Sequence, residues 1–453
     1  MPSTFFGIEI GARGLSAAQV GQDTVGHNIA NANTPGYSAQ SVNQLTSDPL
    51  AAQAGYNGIV SGQIGTGVSA ASITRARDQF LDTQARGGLS DQGLNGSQNT
   101  ALTQLEQALN EPSDNGINHA LGVFFQNFNQ LANSPEDQGV RATVIQGGQA
   151  LANVFHTVQG SLDTQSQSLT SKVSADIKSL NDYATQIAAL NVSIRQATAQ
   201  NQTPNDLLDR RDLLIDKVAS LANISVVPKT DGTVSISVGS SHLVIGTDAY
   251  SVTLNGLNAQ GDLKSGELAG LAKSQTELAS TQSHLDTLAG ALTTQVNNAH
   301  QQGVGLDGST GLAFFTGTDA RTIGINQTLD ADPSKLAAGA SAAPGDATVA
   351  AQLAGLESQT LPTGPLAGTS LTGFYQNSVT SVGSAAAAAK SAAATSTLNA
   401  AQLTQQRDAV SGVSTDNETI NLLKYQRAYE ASARVVKTMD QMLGDLLNGL
   451  FAN

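Results

Sequence analysis

Residues 414–451 read STDNETINLLKYQRAYEASARVVKTMDQMLGDLLNGLF and carry the clearest periodic pattern in the chain. Counted in sevens, one position is apolar at every repeat, and the position three residues later is apolar at all repeats but one. The first position holds Leu422, Tyr429, Val436, Leu443 and Leu450, and the second holds Tyr425, Ser432, Met439 and Leu446. An apolar repeat of about 3.5 residues predicts a long helix that packs against a partner helix.

The start of the chain offers that partner helix. Small residues dominate its seam, and they allow two helices to approach closely while contributing little burial. Counting in sevens gives Ile8, Leu15, Gln22 and Ile29, with Gly11, Ala18, Val25 and Ala32 three residues further on. Each glycine lowers helix propensity by about 1 kcal/mol relative to alanine. We therefore expect both terminal helices to be marginal in a free subunit and to become ordered by pairing with each other and with neighbouring subunits.

A polar segment with a turn signal follows this first helix. The run at 28–38 reads NIANANTPGYS, and its asparagines favour caps and turns over a helix interior. Thr34 precedes Pro35 and is pushed into extended backbone, so the helix is predicted to end near this point. Pro35 and Gly36 suit the central positions of a type II turn, because proline fixes φ and glycine supplies a positive φ.

Both ends of the chain resemble one protein family. The run NIANANTPGYS resembles the signature of the rod and hook family of bacterial flagellar axial proteins. The run NLLKYQRAYEASARV at 421–435 resembles the C-terminal motif of that family, in the form found at the hook–filament junction. With the helical seams, the resemblance predicts an assembly interface made of Ile8, Leu15, Val25, Asn28, Ile29, Asn31, Thr34, Pro35, Gly36, Tyr37, Leu422, Tyr425, Tyr429, Val436, Met439, Leu443, Leu446 and Leu450.

The resemblance also implies a function, partners and a location. It implies a structural subunit that joins hook to filament, with further copies of the chain, the hook protein and the adjoining junction protein on the filament side as partners. It implies an export chaperone on the C-terminal helix, and type III export to the extracellular flagellum without a cleaved signal peptide. The first ten residues carry Glu9 and no lysine or arginine, so they lack the basic start of a secretory signal.

The middle of the chain alternates between helical and strand periodicity. Residues 39–75 are predicted to be an extended connector with one short strand pair. Helical patterns cover about 75–86, 99–111, 121–131, 136–200, 204–222, 265–302 and 371–410, and a further helix begins near 348. Period-two patterns predict strands at 224–227, 233–238, 242–245 and 250–254, and an irregular β-type stretch follows at 303–345.

The predicted fold is mainly α with small inserted β regions, in nested domains whose terminal helices pair as a coiled coil. Three domains are predicted. Residues 1–75 and 411–453 form the terminal helical assembly domain with its connector. Residues 76–223, 264–302 and 346–410 form a long-helix bundle, and residues 224–263 and 303–345 form an outer β-rich region.

Two residue clusters could be interpreted as functional sites, but a structural role explains each of them better. Phe124 and Phe125 lie at helical spacing and are predicted to fill a core. Asp209, Arg211 and Asp212 lie close together near Arg210, and we interpret them as part of a solvated helix face. Ion pairs on such a face, such as Asp206 with Arg210, contribute only about a few tenths of a kcal/mol to stability.

Composition argues against other classes of protein. The chain has no cysteine, which excludes disulfides, thiolate metal sites and thiol nucleophiles. A net charge of −14 without a basic cluster argues against nucleic acid, and no apolar run is long enough to span a membrane. Its six histidines form no metal motif, and no phosphate loop or nucleophile elbow occurs, so neither an enzyme nor a cofactor is predicted. The alternatives are another axial subunit of the hook or rod, or a secreted enzyme or adhesin with flagellar-type ends.

Overall fold

The computed structural model describes residues 5–51 and 63–451, without the side chains of 51 and 449–451. Most of the described chain is helical. The helices are α1 (Phe6–Asn31), α2 (Gln79–Leu109), α3 (Ile117–Asn133), α4 (Gln138–Ala199), α5 (Asn205–Leu221), α6 (Leu254–Ala259), α7 (Glu267–His300), α8 (Gln327–Ala331), α9 (Thr348–Gly355), α10 (Leu371–Ser411) and α11 (Thr415–Phe451). In this part of the chain, none of the helices combines the length and the apolar character that a membrane span requires.

The strands are short and pair antiparallel throughout. They are β1 (Gln40–Thr46), β2 (Leu50–Ala51), β3 (Gln63–Ile64), β4 (Val68–Arg75), β5 (Ile224–Pro228), β6 (Val234–Val238), β7 (Ser241–Ile245), β8 (Asp248–Ala249), β9 (Val304–Gly305), β10 (Phe315–Thr316), β11 (Gly324–Ile325) and β12 (Ala337–Gly339). One sheet has four strands in the order β5-β6-β7-β8, and the others are pairs. The predicted fold class, mainly α with small β regions and paired terminal helices, is confirmed.

The described chain divides into two compact units, each made of separate chain segments. Unit 1 comprises residues 1–91, 178–264 and 398–453, and unit 2 comprises residues 92–177 and 265–397. The two predicted β regions fall into different units, with 224–263 in unit 1 and 303–345 in unit 2. The division into three domains therefore stays a prediction.

The connector after α1 is more regular than predicted. β1 pairs with β4 from Gln40 with Arg75 to Thr46 with Val68, so seven residues of β1 have partners instead of a short strand pair. α1 lies along this hairpin, where Arg13 Nη1 donates a hydrogen bond to the carbonyl of Thr66 at 3.2 Å. Polar residues dominate β1 and β4, and their alternation is therefore too weak to predict paired strands.

The strand predicted at 250–254 is wrong. The chain there is irregular after β8, and α6 begins at Leu254. A side chain replaces the sheet ladder, because Asn181 accepts from the amide of Val252 at 2.9 Å and donates to its carbonyl at 3.0 Å. The Thr253 side chain then accepts from the amide of Gly256 and caps α6. β5 and β6 are joined by a turn in which Gly232 has a φ of 83°.

Unit 2 has an aromatic core. Phe124, Phe125 and Phe128 of α3 are fully buried, as are Phe314 and Phe315. The rings of Phe314 and Phe315 are 4.7 Å apart, and that of Phe124 lies 5.5 Å from that of Phe314, mostly in edge or tilted arrangements that aromatic rings favour. The prediction that the phenylalanines of α3 fill a core is confirmed.

Candidate assembly surface

The turn after α1 is built around the side chain of Asn28. This residue is fully buried, and its Nδ2 donates to the carbonyl of Gln40 at 2.8 Å. Its Oδ1 accepts from the hydroxyl of Tyr37 at 2.7 Å and from the amide of Gln40 at 3.0 Å. Asparagine suits this position because one side chain supplies both donor and acceptor to a backbone that leaves the helix.

The predicted type II turn is present at residues 34–37. The amide of Tyr37 donates to the carbonyl of Thr34 at 3.1 Å, and Gly36 has a φ of 79°. Asn31 ends the helix with its Nδ2 bonded to the carbonyl of His27 at 3.0 Å, and Thr34 donates to Oδ1 of Asn31 at 3.2 Å. The predicted interface residues therefore differ in position here, since Asn28 is internal whereas Thr34, Pro35 and Gly36 are exposed.

Burial and nearby negative charge keep the Tyr37 hydroxyl of this turn protonated. Burial, followed by the nearby carboxylates of Asp206 and Asp209, raises the pKa of Tyr37 well above its usual range. The Tyr37 hydroxyl therefore stays protonated and remains a donor to Asn28. His27, one turn before the helix end, pairs with Asp206 at 3.3 Å on the surface.

The two terminal helices form an antiparallel pair with a glycine-lined seam. Gly7 faces Met439, and Gly21, about three turns before the end of α1, faces Tyr425. A Cβ atom added at Gly21 would lie 2.5 Å from the Tyr425 ring, and one added at Gly11 would lie 2.6 Å from Cγ2 of Val436. The backbone of α1 thus touches the side chains of α11, an approach that only glycine allows at these positions.

The predicted interface residues of the two helices divide between this seam and the outer surface. Those that are buried or half-buried are Ile8, Leu15, Val25, Leu422, Tyr425, Val436, Met439 and Leu443, whereas Ile29, Tyr429 and Leu446 are exposed. Leu450 lies in α11, and its side chain is outside the described part. The assignment of all these residues to an assembly interface stays a prediction.

An apolar outer surface of α11 remains uncovered in the described part of the chain. Large side chains on it are 41–65% exposed, and the sequence pattern of the seam does not include most of them. They are Ile420, Leu423, Tyr429, Val435, Met442, Leu446 and Leu447. A run of exposed apolar side chains on one helix is a common mark of a protein–protein contact.

The solvated face predicted for α5 is wrong. Asp209 and Arg211 are buried, and the side chain of Asp212 is only 13% exposed, whereas Arg210 lies on the surface as predicted. Asp206 is also exposed, but it pairs with His27 rather than with Arg210. The cause lies outside the helix, because arginines distant in the sequence converge on its carboxylates.

These arginines and carboxylates form one ion-pair network in unit 1. Its members are Arg75, Arg77, Arg86, Arg407, Asp82, Asp209, Asp212 and Asp216, so its four positive and four negative charges balance. Arg75 Nη1 lies 2.7 Å from Asp209 and 2.9 Å from Asp212, and Arg407 Nη1 lies 2.6 Å from Asp216. We refer to these eight residues as the arginine–aspartate network.

Burial and the neighbouring arginines have opposite effects on the pKa values of the network's carboxyl groups. Burial alone would raise the pKa of Asp212, but Arg77, Arg75 and Arg86 outweigh it, and the pKa of this carboxyl lies below its usual value. For Asp82 burial outweighs the arginines, and its pKa is raised. The sequence offered a single signal for the network, the Asp-rich pattern of α5 at positions 209, 212 and 216.

No group of three or more His, Asp or Glu in the described segments is placed to hold a metal ion.

Family models match three parts of the chain. The model described as the helical domain of flagellar hook-associated protein FlgK matches residues 102–315. The model of the flagellar basal body rod FlgEFG protein C-terminal region matches residues 404–449, and that of the flagella basal body rod protein matches residues 8–37. The range 404–449 contains the motif at 421–435, and the range 8–37 contains the motif at 28–38 except for Ser38.

Individual proteins are similar over larger parts. The chain is 30% identical to flagellar hook-associated protein 1 of Bacillus subtilis, over 99% of either chain. It is 25% identical to the protein of that name from Salmonella typhimurium, over 67% of this chain and 58% of the relative. In fold it is similar to the flagellar hook junction protein FlgK from Burkholderia pseudomallei, with a TM-score of 0.63 at 18% identity over 73% of this chain and 100% of that chain.

Proposed function

The chain belongs to the family of flagellar hook-associated protein 1, and from this premise we propose that it assembles into the flagellum through its terminal helix pair. It is a structural subunit of the bacterial flagellum between hook and filament. The observation that carries the proposed mode of assembly is the pair of α1 and α11, which is formed within one chain and still exposes apolar side chains of α11.

The uncovered surface of α11 supplies the driving force in this proposal. Fully burying a leucine or methionine side chain contributes about 1.5–3 kcal/mol. Leu423, Met442 and Leu446 are each more than half exposed in the single chain, so a neighbouring subunit that covers them gains much of that contribution. The exposed part of the signature turn at residues 34–36 extends the same proposed interface to the N-terminal side.

The junction is favoured over another axial position. Matches at the two ends alone are shared with rod proteins, whereas residues 102–315 match the helical domain of a hook-associated protein. We assign the chain no catalytic role, which is supported by its membership of a family of structural flagellar proteins. We propose the hook protein, the adjoining junction protein on the filament side and further copies of the chain as its partners.

We further propose that an export chaperone covers the outer face of α11 before assembly. The exposed apolar side chains of this helix support that proposal, since they would otherwise favour aggregation. We also propose export without a cleaved signal peptide, because Gly7 and Gly11 of α1 pack against α11 and cleavage within α1 would remove part of the helix pair. Mass spectrometry of the N-terminal peptide of the extracellular protein tests it, and a start inside α1 would contradict it.

Electron microscopy of cells that lack this gene tests the junction assignment. Hooks without filaments, with flagellin lost to the medium, are expected. Absent hooks would instead place the protein in the hook or rod, and normal filaments would contradict a role in the flagellar axis.

A matched pair of variants tests the assembly surface itself. Leu446 on α11 and Leu398 on α10 are both exposed leucines of unit 1, at 57% and 73%. Leu446→Asp is expected to abolish motility in complemented cells, while Leu398→Asp keeps it and both proteins melt like the wild type. Motility of the Leu446→Asp strain would contradict assembly through this face of α11.

A further inference from the structure

The arginine–aspartate network lies where the chain enters and leaves the terminal arm, which we define as α1, the hairpin β1–β4 and α11. Three segments of the chain meet at this place: residues 38–39 join α1 to the hairpin within the arm, residues 75–77 lead from β4 out of the arm, and residues 407–411 end α10, after which the chain enters α11. We refer to these as the three crossing segments.

The first two crossing segments are tied to the N-terminal half of α5. Ser38 donates to Asp209 twice, from its amide at 3.0 Å and from its hydroxyl at 2.8 Å. Arg75 bridges Asp209 and Asp212 through one Nη1 atom, at 2.7 and 2.9 Å. Arg77, at the end of the second crossing segment, lies 3.4 Å from Asp212. Two carboxylates one turn apart on α5 therefore bind both ends of the hairpin.

The third crossing segment is tied to the next turn of α5. Arg407 Nη1 donates to Asp216 at 2.6 Å, and Arg86 of α2 shares the same carboxylate through its Nε at 2.9 Å. The crossing segments are also bonded to one another through the main chain. The amide of Ala39 donates to the carbonyl of Ser411 at 2.8 Å, and the amide of Ala76 donates to the carbonyl of Ala39 at 2.8 Å.

The three carboxylates of α5 lie on one helix face, because their spacing of three and four residues returns to the same side of an α-helix. We infer that this face of α5 is the joint that fixes the direction of the terminal arm relative to the rest of unit 1. Asp209, Asp212 and Asp216 are then positioning residues, each of which binds one or two crossing segments.

Ionic contacts suit such a joint better than apolar contacts. Replacing a buried ion-pair network by apolar side chains of similar volume is often neutral or stabilising, so stability alone does not explain eight charges at this place. A guanidinium holds its donors in one rigid plane, so an arginine that bridges two carboxylates, as Arg75 and Arg86 do, fixes orientation as well as proximity. The side chains concerned are 7–15% exposed, so salt screens them much less than surface pairs.

Two distances measured by spin labels test the inference. The chain has no cysteine, so pairs of introduced cysteines can be labelled without background. Gln186→Cys on α4 with Lys437→Cys on α11 reports the direction of the arm, and Gln19→Cys on α1 with Arg427→Cys on α11 reports the helix pair alone. All four positions are exposed.

The variants remove one tie at a time. Asp209→Asn weakens the first two crossing segments, and Arg407→Gln releases the third while Arg86 still neutralises Asp216. Both variants are expected to broaden the arm distance at least twofold and to leave the helix-pair distance narrow. Asp182→Asn is the matched control, since Asp182 belongs to unit 1 and pairs with Lys178 on the surface, and it is expected to change neither distance.

The other outcomes overturn the inference. If both distances stay narrow in Asp209→Asn and in Arg407→Gln, the network does not position the arm. If both broaden together, the network holds the helix pair folded and is not a joint. Arg407→Gln keeps the inference testable if Asp209→Asn fails to fold.

The consequence for assembly rests on the proposed function, and the distance measurement does not. A junction whose arms point in defined directions is expected to lose motility in the variants whose arm distance broadens. Broadened arms in a motile strain would contradict the proposed use of the arm, while the joint itself would stand.

Discussion

The terminal helix pair and the aromatic core of unit 2 are two ways of holding helices together. In the core, Phe124 and its four neighbouring phenylalanines are fully buried and meet ring to ring. In the pair, the backbone of α1 at Gly7, Gly11 and Gly21 meets side chains of α11 that are only half-buried. The core removes much apolar area from water, whereas the pair gains fit with little burial. The core therefore determines the stability of its unit, whereas the pair leaves apolar side chains of α11 exposed.

The largest difference between the two regions is expected from truncating the core. Phe124→Ala removes a fully buried ring that contacts Phe128, Phe314 and others, and it is expected to lower the free energy of unfolding by about 3–5 kcal/mol. Urea unfolding measures the change. Val123→Ala, at the neighbouring position with a 38% exposed side chain, is the control and is expected to change little. A small effect of Phe124→Ala would break the comparison.

A methyl group added to the seam is expected to act in the opposite direction to one added beside it. Gly21→Ala places a Cβ 2.5 Å from the Tyr425 ring, and such overpacking is expected to cost about 1–3 kcal/mol of pairing. Gly26→Ala meets nothing within 4 Å and should stabilise α1 by about 1 kcal/mol through helix propensity. Thermal melts followed by circular dichroism measure both changes. Equal effects would show that the seam is not tightly fitted.

Mild acid is expected to weaken unit 2 through His300. Its Nδ1 bonds the carbonyl of Leu312 at 2.7 Å, its Nε2 accepts from the amide of Ala337 at 2.9 Å, and burial lowers its pKa. The neutral ring is thus favoured in the folded state. The stabilisation is present above the unfolded pKa of about 6.5 and is lost as pH falls through the lower folded pKa, at up to about 1.4 kcal/mol per pH unit.

The urea midpoint at pH 7 and at pH 5 measures this acid effect. The change in midpoint is expected to be smaller in His300→Gln, which lacks the titrating ring, while substitution of the exposed His242 should keep the wild-type change. An equal change in all three proteins would mean that His300 does not titrate on unfolding.

The smallest effect is expected on the outer face of the helix pair. Met442 is 57% exposed, and Met442→Ala should change the stability of the free chain by no more than about 0.5 kcal/mol. Met439→Ala, three residues earlier against Gly7, should cost more because this side chain fills the seam. Thermal melts of the two variants measure the difference. Equal losses would mean that the outer face already contributes to folding without a neighbour.

The sequence alone predicts those parts of the fold whose signal is local. The heptads of α11, the turn at Pro35 and Gly36, and the aromatic residues of α3 each carry their pattern within a few turns of chain. The sequence predicts only part of the role of the glycines in α1. Their low helix propensity is a local property, whereas the side chains that pack against them belong to α11. The false strand at 250–254 has the same origin, since the Asn181 side chain that bonds its backbone lies 71 residues away.

The arginine–aspartate network was beyond the reach of local patterns. Arg75 lies 134 residues from Asp209, and Arg407 lies 191 residues from Asp216. Each charge taken alone resembles an ordinary surface residue, and most charged residues are exposed. Only the fold brings these charges together with their partners, and for this reason the sequence alone predicts a solvated face for α5.

The chain order of unit 1 gives the helix pair a further consequence for biosynthesis. α1 is synthesised early, and its partner α11 follows only after unit 2 and the rest of unit 1. A chain interrupted before residue 415 therefore leaves the glycine-lined face of α1 without its partner, and a helix so rich in glycine is unstable alone. Under the proposed mode of assembly, a subunit that lacks α11 is therefore expected to lack the surface that joins it to its neighbours.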